Sequence, residues 1–508
     1  MLSILNKYKN TLIVIGICLA VASRFAFLNF GLPYVFQADE VEMVEYSLKY
    51  AVNLNKFIQG DFYFFKPFSF VYGSLPAYLN TILLVPFLKI TSALSLSQDR
   101  FYIYLYLRSI YAVFSVLTCI GVYYLAKQLT KNTKIQLLAT LLFSLNFYFY
   151  WLSKYLNNDV LVALFTVFFL IFYLRFKETN SNKDFFLAML FIGFGIGTKI
   201  TFGITLIYPL IDLIIKKEYR KIITMSIVVF LIYLVTNPFS FLFFNEFYQR
   251  IMEMRVKENG IVIDSYNTSL LKYVYSLFNN ITIPITIFSL FYLTQKIRER
   301  KIDITIFISV IYILFFSASS RLVDRWLLPI YPLLIIYGLL FLEELKSKKI
   351  KFFVLTIVIV EVLFKFCVAN YELGKNSNLL NAFNYFKNGY SNEFKNVYVI
   401  TERGLNPFNS LKRTNLGIDS QQFVPYVSEG AFSIPPADVT KYDYIVYSSK
   451  VRSYYLNPYI KSINPQYVAT WESSYQLLNS DKFEILATFE TGFTSLLGQE
   501  NIIIFKKK

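Results

Sequence analysis

The sequence predicts a mainly α-helical, polytopic membrane protein with a small α/β domain outside the bilayer. Three observations carry that expectation. Of 508 residues, 56% are hydrophobic and only 16% charged, where soluble domains carry about a quarter charged residues. Apolar runs long enough to cross a bilayer, about 20 residues each, recur up to residue 370. Beyond 370 the chain gains Asn, Ser, Pro and Gly, and short β-like runs replace the long apolar ones.

The apolar runs lie near 11–28, 101–126, 135–150, 158–174, 185–215, 222–237, 270–294, 303–317, 326–342 and 352–369. The first follows Lys7 and Lys9, and no small-residue cleavage site clearly succeeds it. It reads as a transmembrane helix rather than a removed signal. The run 185–215 is too long for one ordinary span. Gly193, Gly195, Gly197 and Thr198-Lys199 interrupt it, which predicts two short helices meeting at a turn.

A further run at 72–90 holds Pro76, Pro86 and Lys89, and charge parity decides its place. Basic clusters stand at Lys127/Lys131/Lys134, Arg175/Lys177/Lys183, Lys216/Lys217/Arg220/Lys221, Lys296/Arg298/Arg300/Lys301 and Lys346/Lys348/Lys349/Lys351. If all face the cytoplasm with the N-terminus, an even number of spans separates each from the next. Segment 72–90 is then a juxtamembrane helix on the outer surface. The expectation is about 11 spans in the plasma (inner) membrane. The N-terminus is cytoplasmic and the C-terminal domain extracytoplasmic. A transmembrane domain should cover 1–369, with a first outer loop at about 29–100, and a soluble α/β domain 370–508. Strand-like runs at Val397–Thr401, Tyr442–Tyr447, Phe483–Ala487 and Ile502–Phe505, with a helical stretch near 378–390, build the latter.

Composition also excludes chemistries. There is no His, so His-ligated metals, His bases and Ser-His-Asp triads are absent. The three cysteines, Cys18, Cys119 and Cys367, sit in apolar runs without metal-ligand spacing. The net charge of +17 comes with no nucleic-acid reader motif, so it is read as an orientation signal and nucleic acid is not expected as a partner. The many Phe and Tyr residues belong to lipid-facing packing and interfacial belts. Glu361 and Lys365, four apart in the last run, should form a structural pair.

Few ionisable groups remain for the outer side, where each is costly and commonly functional. Asp39-Glu40 stand just after the first span, with Glu42 and Glu45 beyond. Phe65-Lys66-Pro67 follows, then Arg108 in the outer half of the second span. Asn157-Asn158-Asp159 opens a helix and is preceded by Lys154; Lys199 lies at the turn, and Arg321, Asp324 and Arg325 precede the helix at 326. Each has a plainer reading. Asp39 and Asp159 could cap helices, and Arg108, Lys66 and Lys199 could extend polar heads to the interface. Arg321 and Arg325 could pair with Asp324 or lipid phosphate. The combination is more specific. Cations stabilise charge developing on a phosphate leaving group, and a carboxylate removes an acceptor hydroxyl's proton as the new bond forms.

At these residues the chain resembles the membrane glycosyltransferases of the GT-C superfamily, in particular the family 39-like group of protein O-mannosyltransferases and lipid A aminoarabinose transferases. The matching features are Asp39-Glu40, Lys66-Pro67, Leu107-Arg108-Ser109, Asp159, Gly197-Thr198-Lys199 and Arg325-Trp-Leu-Leu-Pro329 followed by Pro332. They span about residues 11–345, and their order carries the likeness more than any one of them. Phe68-Ser69 departs from the family, which often has a second Pro and an apolar residue there. The resemblance implies a GT-C-type helical bundle and an inverting transfer from a polyisoprenyl-phosphate sugar to a lipid, glycan or protein acceptor. It implies Asp39 as the catalytic carboxylate, Glu40 as its partner and Asp159 as the second acidic site. Lys66 matches the lysine near the donor phosphate; Arg108, Lys199, Arg321 and Arg325 are further candidates for that task. No cofactor is required. A divalent ion held by Asp39, Glu40 and Asp159 is chemically compatible, but Lys and Arg can supply the same charge. Two other classes would also be large and apolar: a transporter or flippase for lipid-linked sugars or polysaccharide, and a catalytically inactive membrane scaffold. A transporter should show repeated halves and a charged midplane path, and neither is seen in the sequence.

Overall fold

A computed structural model describes residues 9–32, 38–67, 70, 72–95, 99–260, 269–318, 323–375, 377–389, 397–402, 418–423, 439–449, 452, 456, 461–462, 465–490 and 501–508. The chain divides into two compact units. The first comprises Met1–Leu28, Glu42–Glu253 and Asn267–Cys367; the second comprises Asn29–Val41, Met254–Tyr266 and Val368–Lys508.

The first unit is helical. At its centre is Asn158–Thr179, whose side chains from Val160 to Val167 are all buried. Arg100–Leu129 and Asn182–Thr198 pack against it. Other helices turn apolar side chains outward. Val235 is 75% exposed, Phe352 75% and Ile82 69%, a distribution that suits a lipid solvent in which backbone polar groups must be paired within helices.

Six helices among the described residues are long and apolar enough to cross a membrane, beginning at Leu75, Arg100, Asn158, Tyr219, Asp324 and Lys348. Shorter apolar helices run over Asn10–Phe25, Thr133–Ser144, Ile200–Ile215 and Ile304–Ser317. The segment expected along the membrane surface is among the six. Leu75–Ala93 is a continuous helix that tolerates Pro86 in its interior, so charge parity alone, not length, sets it apart from a span.

Two expected runs differ in detail. The run at 270–294 is two helices, Ser269–Asn280 and Ile283–Arg298. The Thr282 hydroxyl accepts from the Ile285 amide at 3.3 Å, and Pro284 enters the first turn, so the sequence carries its own start signal there. The Glu361–Lys365 pair forms as expected at 2.6 Å and reaches this break. Lys365 donates to the Asn279 carbonyl at 2.8 Å, and Glu361 accepts from the Ile283 amide at 3.3 Å.

The run at 185–215 breaks where expected but not by its glycines. The helix continues through them to Thr198. Lys199 then adopts extended backbone, followed by a 3₁₀ turn, Ile200–Leu206, and the helix Ile207–Ile215. Gly195 allows close approach instead: a Cβ there would lie 2.1 Å from the Phe202 ring.

The second unit contains a five-stranded mixed sheet. Its strands are β1 (Val397–Glu402), β2 (Ile418–Phe423), β3 (Tyr444–Ser448), β4 (Phe483–Phe489) and β5 (Ile502–Lys507), in spatial order β2-β1-β3-β5-β4. β1 pairs in parallel with β2 and β3, while β5 runs antiparallel to β3 and β4. Successive strand residues face opposite sides. Val397 and Val399 therefore pack with Leu379 and Phe383 of the helix Asn378–Gly389. Tyr398 and Ile400 pack with Val468 and Trp471 of the helix Pro465–Leu478. Burial on both faces explains the unbroken apolar run of β1.

Candidate active site

The Asn157-Asn158-Asp159 sequence divides its tasks. The Asn157 side chain accepts from the Asp159 amide at 2.7 Å and caps the helix Asn158–Thr179. Asp159 is therefore not the cap, and its carboxylate is available for other partners. One oxygen accepts from Lys199 Nζ at 2.6 Å, and the other lies 3.1 Å from Arg325 Nε. Lys199 is placed by the end of Asn182–Thr198, and Arg325 by the 3₁₀ turn Asp324–Ile330. Three sequence-distant segments thus meet at one carboxylate that is only 5% exposed. Two cations gathered at one carboxylate are donors of the kind a phosphate oxygen accepts from. The Trp326 ring lies 5.6 Å from Lys199 Nζ and walls this site.

Lys66 makes a different contact. It donates to Glu246 Oε1 at 2.7 Å, with Nζ 4.0 Å from the Phe243 ring centroid. That hydrogen bond, with the coulombic pull of Glu246, raises the Lys66 ammonium above its ordinary range and keeps it charged. Glu246, near the start of the helix Phe244–Gly260, was not singled out in the sequence. Arg108 is buried in Arg100–Leu129, and its Nη1 donates to the Leu28 carbonyl at 2.8 Å.

Two other cations are structural. Lys154 Nζ donates to the carbonyls of Ser23, Arg24 and Ala26 at 2.7, 3.0 and 2.8 Å. Arg24, fully buried, donates to the Ser144 carbonyl and to Ser153 Oγ. Together they tie the end of the first helix to the segment before Asn157. Arg24 escaped the sequence reading because it lies inside an apolar run that counted as one span.

Asp39 and Glu40 occupy the first turn of the helix Ala38–Val52; Glu40 is fully buried and Asp39 partly so. Arg321 lies outside the described residues. Among the described residues, no group of three or more His, Cys, Asp or Glu could hold a metal ion. Of the expected set, Asp39 and Glu40 belong to the second unit and Asp159 to the first, and both Asp159 oxygens are engaged by cations.

Within the first unit a pocket opens between the helix from Glu42 onward, the segment around Gly73 and the start of the central helix. Tyr46, Tyr50, Tyr72, Ser74 and Asn158 line it. Its floor is held by Asn237, which the sequence reading missed. Asn237 Oδ1 accepts from the Ser74 amide at 2.7 Å, and its Nδ2 donates to the Gly197 carbonyl at 3.3 Å. Gly73 donates to the Thr198 carbonyl at 3.0 Å. The turn bearing Lys199 is thereby locked to the segment leading into Leu75–Ala93.

The chain is similar to known proteins in part of its sequence and in its fold. Residues 89–243 match the family described as dolichyl-phosphate-mannose-protein mannosyltransferase. ArnT from Cupriavidus metallidurans bound to undecaprenyl phosphate is similar in structure, with a TM-score of 0.51 at 12% identity, covering 97% of this chain and 98% of that one. The same protein in the apo state gives 0.50 at 11% identity, with the same coverage. The chain shares its fold with that protein, and its apolar helices are those of an integral membrane protein. No curated protein sequence matches the chain. The matched family region contains Arg108, Asp159, Lys199 and Asn237. Among the candidate site residues, Asp159 is in direct contact with Lys199, inside that region, and with Arg325, beyond it.

Proposed function

We propose that this GT-C protein is an inverting glycosyltransferase that moves a sugar from a polyisoprenyl-phosphate donor to an acceptor hydroxyl on the outer face of the membrane. The observation that carries the reading is the Asp159–Lys199–Arg325 cluster, in which two cations from separate segments meet one buried carboxylate. The fold shared with ArnT, bound in one structure to undecaprenyl phosphate, supports a lipid phosphate as the donor's anchor.

In this reaction the bond between the anomeric carbon and the phosphate oxygen breaks as the acceptor oxygen attacks from the opposite face. Negative charge grows on the leaving lipid phosphate. Lys199 and Arg325 share that charge while Asp159 holds both in place, a preorganised arrangement that needs little rearrangement during the reaction. Lys66 serves the same phosphate once Glu246 yields its hydrogen bond. Asp39 takes the acceptor's proton, and Glu40 supports it. Arg108 and Arg321 act outside this inner group. Acceptors are lipid, glycan or protein hydroxyls.

The test is Asp39→Asn in the full-length protein, assayed in membranes with labelled undecaprenyl-phosphate sugars. Removal of a general base should lower transfer by about 10²–10⁴-fold; a variant that folds normally and transfers at the parent rate overturns the reading. The orientation is tested separately. Cysteines introduced near Lys131 should be labelled only from the cytoplasmic side, and Leu75–Ala93 should lie along the outer surface.

A further inference from the structure

We infer that Glu246 is the counter-ion that Lys66 exchanges for the phosphate of a polyisoprenyl-phosphate donor, so that this carboxylate sets how tightly the phosphate is held and helps it leave. The inference rests on the proposed task of Lys66 at the donor phosphate and deepens it, because it names the group that the phosphate must displace.

The ion pair joins two segments 180 positions apart, with Lys66 Nζ donating to Glu246 Oε1 at 2.7 Å. The cation does not depend on the carboxylate for its place. The Lys66 amide donates to the Tyr63 carbonyl at 3.1 Å. Nζ lies 4.0 Å from the Phe243 ring centroid and 5.4 Å from that of Tyr63. Those two rings meet edge to face at 5.3 Å, and Phe65 and Phe243 belong to one apolar cluster. Aromatic faces therefore hold the ammonium where it is. Glu246 is held less firmly. Its side chain is 54% exposed, against 16% for Lys66, and Lys66 is its one ion-pair partner among the described residues. It stands in the first turn of the helix Phe244–Gly260, whose positive end favours the carboxylate when Lys66 turns to another anion.

The charges decide the exchange. An ion pair this open is worth no more than about fivefold in an equilibrium constant, so another anion can displace the carboxylate. A sugar-bearing lipid phosphate is a diester with a single negative charge. The lipid phosphate left after transfer is a monoester, which carries about 1.5–2 charges and three acceptor oxygens. A lysine without a competing anion would hold that product more tightly than the donor. Glu246, returning to Lys66, offsets the hold and lets the product go. The place suits the task. Pro67, next to Lys66, lines the same small cavity as Asn158, next to Asp159, so Lys66 and the Asp159 cluster border one region of the first unit.

The test measures binding rather than transfer, so it stands apart from the Asp39→Asn assay. Full-length parent, Glu246→Gln, Glu246→Ala, Lys66→Met and the double variant Glu246→Gln/Lys66→Met are reconstituted in nanodiscs of neutral lipid. Undecaprenyl phosphate is added in rising amounts, and the bound lipid is counted by native mass spectrometry. Both Glu246 variants should bind it about two- to fivefold more tightly than the parent, because the competing anion is gone. Lys66→Met should bind it more weakly, and the double variant should show no gain over Lys66→Met. A purely structural bridge gives the reverse, since its loss loosens the site. Parent-like or weaker binding in both Glu246 variants overturns the inference and leaves the functional reading standing, as does a gain that persists without Lys66. A parent that binds no undecaprenyl phosphate overturns both together. Inorganic phosphate at equal concentration should not displace the lipid; if it does, the exchange partner is a free anion and the inference falls.

Discussion

Asp159 shows how a residue's task is decided by its neighbours. In the sequence it could be a helix cap or an acid at a reactive site, and the pattern Asn-Asn-Asp supports both. The structure gives the cap to Asn157 and leaves the Asp159 carboxylate with two cations. Replacing one member of a buried ion pair leaves the others uncompensated. Asp159→Ala should therefore lower stability by about 3–5 kcal/mol, read as a shift of chemical unfolding in detergent. The double variant Asp159→Ala/Lys199→Met should lose less than the sum of its single changes, because Lys199 is no longer left buried without its anion. Gly73 is a second case. A Cβ there would lie 1.9 Å from the Gly197 carbonyl oxygen, so Gly73→Ala must force two backbones apart. A loss of about 1–3 kcal/mol follows from such overpacking, read by the same unfolding measurement. Neither contact could be read from the sequence, because Gly73 and Gly197 stand 124 positions apart.

At the scale of the element, helix boundaries were legible where a start signal coincides with a break in the apolar pattern. Lys199 ends one helix as the Thr198-Lys199 interruption suggests. The break at Ile281–Thr282 was overlooked although Thr282 and Pro284 announce it, because the apolar run continues across both sides and hydropathy dominates a window of span length. Thr282→Ala should cost about 1 kcal/mol for the lost cap, measured by thermal unfolding in detergent. In the second unit, β1, β3, β4 and β5 were read from their apolar runs, but β2, with the sequence Ile-Asp-Ser-Gln-Gln-Phe, was not. It is an edge strand, and edges are commonly polar, which hides them from a search for apolar runs. The helix Pro465–Leu478 was also passed over. Its Val468, Trp471, Tyr475 and Leu478 carry helical spacing, weaker than the membrane signals that precede it.

At the scale of the molecule, the two units rest on different solvents. The helices of the first expose Phe and Val that water would not tolerate, whereas the sheet of the second buries its apolar residues on both faces. Trp471 is the largest side chain in one of those layers and is 1% exposed. Trp471→Ala should cost the second unit about 3–5 kcal/mol. Limited proteolysis should then cut within 397–508 while the helices of the first unit remain protected. Equal protection of both regions would show that the sheet does not fold as a separate layer.

The sequence by itself determined the solvent of each part, most helices and strands, and the short list of ionisable residues from which a site must be drawn. Those properties depend on local composition and period. Only the tertiary structure decided which of the listed residues meet. It joined Asp159 to Lys199 and Arg325, assigned Lys66 to Glu246, and used Lys154 and Arg24 as struts. Pairing between residues distant in sequence depends on how helices pack, and side-chain packing leaves no periodic trace in a single chain.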